Sequence, residues 1–337
     1  MIELDQLSNE DRQPYFNQVA NEKGLPNYII EKDYWVVWTL DRLMSIEGLN
    51  QNLTFKGGTS LSKIYNAIKR FSEDIDLTIT KKYLGLYEDN EPKNGDSFRK
   101  RRIISSKLSE ECSKFIKTRL LEELHEKFSS RLGTIDNWEL TVCKNDACTL
   151  LFKYPTNFSD DNYNPAKVKL EFGLKIDAIP SSRHFIQSYT KEVLKEKVDE
   201  PEISVQVLNA EKTFWEKATI LHRYANWPED KVPKPGQSRH YYDLHCLLLQ
   251  QEIKNLALIK SELLDTVARE KSLYYYESRA KYENAKKGTL KLVPSKKIGK
   301  SLQKDYKSME NMFFNGQCPT WEEIMQIIQN FETEFNT

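Results

Sequence analysis

Apolar positions follow two regimes along the chain, and the change falls near residue 200. Before it, helical spacings alternate with period-two runs. In Asn27 to Ile46, the residues Ile30, Tyr34, Val37, Leu40 and Leu43 recur every three or four positions, which predicts a helix with one apolar stripe. Another helix is predicted ahead of it. Leu53-Thr54-Phe55 is a short apolar run that predicts a strand and ends in Lys56-Gly57-Gly58-Thr59-Ser60. Leu61, Ile64, Tyr65 and Ile68 then place a helix over about Leu61 to Lys69. Asp74 to Ile79 alternates polar and apolar, as a half-buried strand does. Leu53 to Thr80 therefore predicts strand, glycine-rich turn, helix, strand.

Ser97 to about Lys127 predicts a long charged helix, and Trp138 to Cys143 and Thr149 to Tyr154 predict strands. Lys167 to Ile176 alternates again. Val168, Leu170, Phe172, Leu174 and Ile176 share one face, and Lys167, Lys169, Glu171 and Lys175 the other. Beyond about residue 205 the strand signals stop. Helices are predicted over Ala210 to Tyr224, His240 to Gln250, Lys254 to Val267 and Trp321 to Phe335, with a proline-bearing loop from Trp227 to Gln237. The pattern predicts a mixed domain of helices and strands over 1–200 and an all-helical domain over 201–337.

Composition adds exclusions. Fifty basic side chains balance fifty acidic ones, so no global charge argues for a nucleic-acid partner. No apolar run approaches the length of a membrane span. The acidic, polar start MIELDQLSNEDRQP is unlike a signal peptide. Five cysteines without a C-x-x-C pair argue against zinc fingers and disulfide scaffolds, and make a reducing cytoplasm the expectation. His222, His240 and His245 do not fall three or four apart, so no zinc-binding helix is expected.

Three constellations carry candidate chemistry. Gly57-Gly58-Thr59-Ser60 stands at a strand-to-helix turn, where glycines let a phosphate approach the backbone and a helix N-terminus offers free N–H groups. Asp74 and Asp76 are two apart on a strand, so their carboxylates share a face and suit a hard divalent cation such as Mg²⁺. Glu171, on the polar face of its strand, is the candidate third carboxylate, with Asp177 of the same parity as the alternative. Together these form the nucleotidyltransferase pattern of the polymerase-beta superfamily.

The chain resembles a particular family within that pattern. Phe55-Lys-Gly-Gly-Thr-Ser-Leu-Ser-Lys63 and Arg70-Phe-Ser-Glu-Asp-Ile-Asp-Leu77 are similar to the AbiEii/AbiGii toxin family of bacterial nucleotidyltransferases. So are Ile30-Glu-Lys-Asp-Tyr-Trp35, Lys212-Thr-Phe-Trp-Glu-Lys-Ala218 and Ser238-Arg-His-Tyr-Tyr-Asp-Leu244. The likeness spans about residues 28 to 315. It implies an α/β (α+β) chain: a nucleotidyltransferase-fold mixed sheet with helices, followed by an all-helical C-terminal domain. It also implies a toxin of a toxin–antitoxin or phage-defence system, whose relatives transfer nucleotides to RNA, including tRNA acceptor ends, and an antitoxin encoded beside it. One departure is the longer spacing from Thr59 to Asp74, which leaves either Thr59 or Ser60 to touch phosphate.

The family's later motifs supply a Lys and an Asp, which fall on Lys217 and Asp243. Lys217 lies on the stripe that should face inward, where a triphosphate or an acidic neighbour such as Asp243 would partner it. Lys212 is the alternative lysine. Asp243 would orient Lys217, contact substrate or act structurally.

Charge is also segregated. Arg269 to Lys304 holds eleven basic and three acidic residues, interleaved with Tyr274, Tyr275, Tyr276 and Tyr282. Lys286, Lys287, Lys296 and Lys297 fall within it, and Arg99, Lys100, Arg101 and Arg102 form a second basic cluster. Basic groups neutralise phosphates and aromatics stack on unpaired bases, so both are candidate RNA contacts. The reading is a Mg²⁺-dependent transferase that moves a nucleoside monophosphate from an NTP to RNA, expected to be a tRNA 3′ end, and releases pyrophosphate. Asp74, Asp76 and Glu171 would hold two metals, and Gly57, Gly58, Thr59 or Ser60, and Lys217 the triphosphate. A protein-modifying nucleotidyltransferase and a non-catalytic interaction protein are the alternatives.

Overall fold

The computed structural model describes every residue except 88–90, 134–136, 157, 159–165, 175–177, 310–311 and 314–317. The chain divides into two compact units. One comprises Met1–Ile64, Phe71–Asn90 and Ser106–Val207, and the other Tyr65–Arg70, Glu91–Ser105 and Leu208–Thr337.

The first unit opens with α1 (Asn9–Lys23) and α2 (Asn27–Met44). Next come β1 (Leu53–Lys56), α3 (Gly57–Lys63) and β2 (Asp74–Ile79). The long charged helix is α4 (Phe98–Phe115), whose residues up to Ser105 belong to the second unit, followed by a π-helical stretch Ile116–Leu120 and α5 (Leu121–Leu132). Strands β3 (Glu139–Val142), β4 (Thr149–Lys153) and β5 (Lys167–Gly173) follow. Then come β6 (Ser181–Ile186), α6 (Tyr189–Leu194) and β7 (Ile203–Leu208). The strands form one seven-stranded sheet in the order β3-β4-β5-β2-β1-β7-β6. It is mixed: β1 runs antiparallel to β2, while β2 is parallel to β5 and β1 to β7.

Strand alternation decides what the sheet buries. In β2, Ile75, Leu77 and Ile79 are fully buried, and in β5 so are Val168 and Leu170. Trp35 and Trp38 of α2 pack against Phe152, and Phe128 of α5 packs against Trp38 and Phe152. Each such buried aromatic contributes on the order of 2–3 kcal/mol through the surface it removes from water.

Helix α2 is unusual in burying charge. Glu31, Lys32 and Asp33 are consecutive and each is less than 5% exposed. Glu31 accepts a hydrogen bond from Thr156 (2.6 Å), and Lys32 is paired with Glu73. Asp33 receives Lys63 (2.7 Å) and the backbone N–H of Tyr189 (2.7 Å). Burial lifts the Glu31 carboxyl to about 7, against the pull of Thr156 and Arg12.

The second unit is built around α7 (Ala210–Ala225), which packs against α8 (Arg239–Leu249), α9 (Gln251–Ile259) and α10 (Glu262–Tyr274). Helices α11 (Lys296–Lys307) and α12 (Trp321–Asn336) complete it, with α12 against α8. Trp215 and Phe214 of α7 meet Phe331, and Trp215 also meets Phe335.

Several elements differ from the sequence expectation. Helix α3 begins in the glycines rather than after them and ends at Lys63. Gly57 has φ +83°, which lets the chain pass from strand to helix without a connector. Tertiary bonds then override the helical spacing of residues 64–69. The Tyr65 hydroxyl donates to the Leu208 carbonyl (3.1 Å), and Asn66 adopts φ +47°. The helix expected over Lys254 to Val267 is broken near Lys260 into α9 and α10. Strands β6 and β7 and helices α6 and α11 were not anticipated. Only Ile298, Leu302 and Tyr306 face the core from α11, so its lysines masked its periodicity. No described helix is long and apolar enough to cross a membrane.

Candidate functional site

The glycine turn and the Asp-x-Asp strand are brought into direct contact. β1 and β2 pair with Lys56 opposite Asp76, so Gly57 begins its helix beside the Asp76 side chain. A Cβ on Gly57 would lie 2.0 Å from Asp76 Oδ2 and 2.7 Å from its Cγ. Position 57 therefore needs glycine twice, for its left-handed φ and for the carboxylate against its Cα. Gly57→Ala is expected to cost about 1–3 kcal/mol and to push the Asp76 carboxylate aside. Thermal unfolding and metal titration would register both effects, and unchanged values in both would remove this contact from the account.

Thr59 and Ser60 are both buried, and their hydroxyls are engaged within the turn. Thr59 Oγ1 donates to the Asp74 carbonyl (2.6 Å) and lies 3.1 Å from Ser72 Oγ. Ser60 Oγ donates to the Gly57 carbonyl (3.0 Å). Thr59 thus ties α3 to the first residue of β2, which fixes where Asp74 starts. Neither hydroxyl is directed to solvent as a ready phosphate ligand.

β5 brings the third carboxylate. It runs parallel to β2 with Asp76 opposite Glu171 and Asp74 opposite Lys169. Asp74, Asp76, Lys169 and Glu171 are half-buried on the polar face, while the alternating residues fill the core. Glu171 is hydrogen-bonded to the Lys169 ammonium. Burial opposes charge on Lys169, but the bond and charge of Glu171, with the charges of Asp74 and Asp76, outweigh it and raise its pKa. An ammonium is thus drawn to a face carrying three carboxylates. Among the described residues no three acidic, His or Cys side chains converge as a ready metal cage. Asp177 lies outside the described residues. Asp74, Asp76 and Glu171 offer the hard oxygen donors that a divalent metal takes, with the Lys169 ammonium on the same face.

In the helical unit a second cluster assembles. Asp243 is fully buried on α8 and accepts from Arg70 Nε (2.7 Å) and Arg70 Nη2 (2.9 Å). Its Oδ2 also accepts from Lys217 Nζ of α7 (2.7 Å), and Lys217 lies 3.4 Å from His240 Nδ1. Burial alone would raise the Asp243 carboxyl, yet the two cations and their hydrogen bonds hold it far below the ordinary range. Burial and the charges of Lys217 and Arg239 keep His240 neutral, well below its usual pKa. Two cations on one carboxylate leave the cluster with one net positive charge. Lys212 lies elsewhere, buried against Glu270 (3.3 Å).

Sequence reasoning paired Lys217 with Asp243 but gave no role to Arg70, although Arg70 stands in a quoted motif. Its signal was an arginine at the end of an apolar helical stripe, where a buried guanidinium needs a carboxylate. Lys32, Asp33, Lys63 and Glu73 were missed likewise, since nothing local shows that charges inside a helical stripe are paired. Of the basic residues, Arg99, Lys100 and Arg102 are exposed in the first turns of α4 and Arg101 is half-buried. Lys286, Lys287, Lys296 and Lys297 are exposed, the last two on α11.

Residues 38–327 match the family described as nucleotidyl transferase AbiEii toxin, type IV toxin–antitoxin system. The chain belongs to this family. It is accordingly a nucleotidyltransferase of the AbiEii toxin kind, an enzyme that uses a nucleoside triphosphate and comes from a system pairing toxin with antitoxin. No curated protein matches the sequence. A solved structure of MenT4, a nucleotidyltransferase toxin from Mycobacterium tuberculosis H37Rv, is similar at 15% sequence identity and a TM-score of 0.40. That match covers 96% of this chain and 99% of the other.

Proposed function

We propose that this AbiEii-family enzyme transfers a nucleoside monophosphate from an NTP to the 3′ end of an RNA, a tRNA in the first instance, and that it requires Mg²⁺. The observation that carries the reading is the carboxylate face: Asp76 seated over Gly57, Asp74 two residues before it, and Glu171 in register on the adjacent strand. Asp74, Asp76 and Glu171 would hold the metal. When bound, Mg²⁺ neutralises the triphosphate and lowers the pKa of the attacking hydroxyl.

The chain's own residues do the rest by placement. Gly57 and Gly58 let the phosphates approach the backbone at the start of α3, where N–H groups are unpaired within the helix. Thr59 holds that turn to β2 and so acts through position rather than contact. Lys217 spends N–H donors on Asp243 and His240, and its cluster carries a net positive charge, the sign that attracts an anion. Asp243 and Arg70 fix where that ammonium sits. The RNA 3′ hydroxyl gives its proton to solvent water as its oxygen bonds to the α-phosphorus, the bond from that phosphorus to the α–β bridging oxygen breaks, and pyrophosphate leaves. Holding these atoms in line supplies most of the rate.

The test is direct. The purified protein is incubated with each α-³²P-labelled NTP, Mg²⁺ and bacterial RNA, and the products are run on a denaturing gel. Label on a discrete RNA band is the expected result. Label that survives RNase and runs with protein would replace RNA by a protein acceptor.

A further inference from the structure

The basic run at the start of α4 is oddly placed. Phe98-Arg99-Lys100-Arg101-Arg102 opens the helix, and its first turn holds no acidic residue. A helix N-terminus carries a partial positive charge, so cations there are disfavoured by roughly 0.3–1 kcal/mol each. Asp96 offsets Lys100, at 2.6 Å, and acts on Arg101 through its charge. Among the described residues no ion pair involves Arg99 or Arg102.

Exposed aromatics stand beside it. Phe98 is 55% exposed and Tyr276, just past α10, is 49% exposed, yet their rings meet at 5.1 Å between centroids. Tyr275 is also exposed, with the Lys271 ammonium 5.4 Å from its ring centroid. Ser105 Oγ donates to the Tyr274 carbonyl (3.4 Å), which holds α4 against the end of α10. The acids nearby in sequence are occupied: Glu270 by Lys212, and Glu277 by Lys231 and Arg223. What remains is a pair of solvent-facing rings beside Arg99 and Arg102, which form no ion pair among the described residues, all within the helical unit.

We infer that this patch is a stacking platform for an unpaired stretch of the acceptor RNA. One base stacks on the Phe98–Tyr276 pair, and Arg99 and Arg102 neutralise the phosphates on either side. Stacking uses the ring faces, which every base can meet, so the platform reads single-strandedness rather than sequence. The inference rests on RNA being the acceptor of the proposed transfer. An anionic protein surface would satisfy the arginines but gives no reason for rings kept in water.

Fluorescence anisotropy with a labelled single-stranded oligoribonucleotide, and with a blunt duplex of the same length, tests it on the full chain. Phe98→Ala combined with Tyr276→Ala should weaken single-strand binding about ten- to a hundredfold and leave duplex binding nearly unchanged. Phe98→Tyr should keep it. Arg99→Ala with Arg102→Ala should weaken binding to any strand and reduce the salt slope by about 1.4. Circular dichroism confirms the fold of each variant, and NTP binding reports the nucleotide site separately. Loss of NTP binding in the parent protein would count against the transferase reading; unchanged single-strand affinity in the aromatic variant would overturn the platform alone. Equal losses on single strand and duplex would also overturn it.

Discussion

Asp76→Ala is expected to reduce nucleotide transfer about a thousandfold or more while leaving the protein folded. The carboxylate lies on the polar face of β2, half-buried, with its Oδ2 against the Cα of Gly57. Its backbone pairing to Lys56 and Glu171 does not depend on the side chain. The side chain adds repulsion among the carboxylates but also attraction to the Lys169 ammonium, so its removal should leave the protein folded with only a small change in thermal stability. Transfer of labelled nucleotide, measured beside an unfolding curve, separates the two effects. A folded variant that transfers at the parent rate would take Asp76 out of the reaction.

Asp243→Ala has the opposite signature. Here the side chain is fully buried and carries Arg70 and Lys217, themselves almost inaccessible. Removing one partner leaves two cations uncompensated in the core, and the expected loss is about 3–5 kcal/mol. Denaturant unfolding gives the number. The triple replacement Asp243→Leu, Arg70→Met, Lys217→Met should recover most of that loss, because apolar side chains of similar volume need no counter-charge. If Asp243→Ala unfolds at the parent denaturant concentration, the cluster is not holding the helical unit. The pH dependence has a definite sign. The folded carboxyl is depressed, so its contribution is complete above the unfolded carboxylate pKa and is lost only as pH falls through the folded value in strong acid.

Much of the sheet was legible because period-two alternation is local. β2 matches its expected span, and β4 and β5 follow theirs closely, since one face of each meets the core and the other does not. β6 (SSRHFI) has too few apolar residues to announce itself, and β7 lies where the alternation hands over to helices. The split between α9 and α10 was hidden because helical spacing continues across it. At the site, Asp74, Asp76 and Glu171 could be placed on one face by parity alone. That Asp76 and Glu171 stand side by side depends on the parallel register of β2 with β5, which no single strand encodes. The roles of Thr59 and Ser60 were open for the same reason. Whether a hydroxyl bonds a carbonyl of its own fold or a ligand is decided by a partner fifteen residues away for Thr59 and three away for Ser60.

Helix α2 has a further consequence. Glu31, Lys32 and Asp33 point to different parts of the first unit, and each is met by a separate segment: Thr156 after β4, Glu73 before β2, Lys63 at the end of α3, and Tyr189 at the start of α6. Lifting away Glu73 or Lys63 takes a counter-charge from Lys32 or Asp33, and lifting away Thr156 or Tyr189 takes a buried hydrogen bond from Glu31 or Asp33. Opening in pieces is therefore penalised, and these segments behave as one cooperative block whose fluctuations are all-or-none. Two of them flank the glycine turn and the Asp-x-Asp strand, so the rim of the carboxylate face inherits its rigidity from a helix that contributes no group to it.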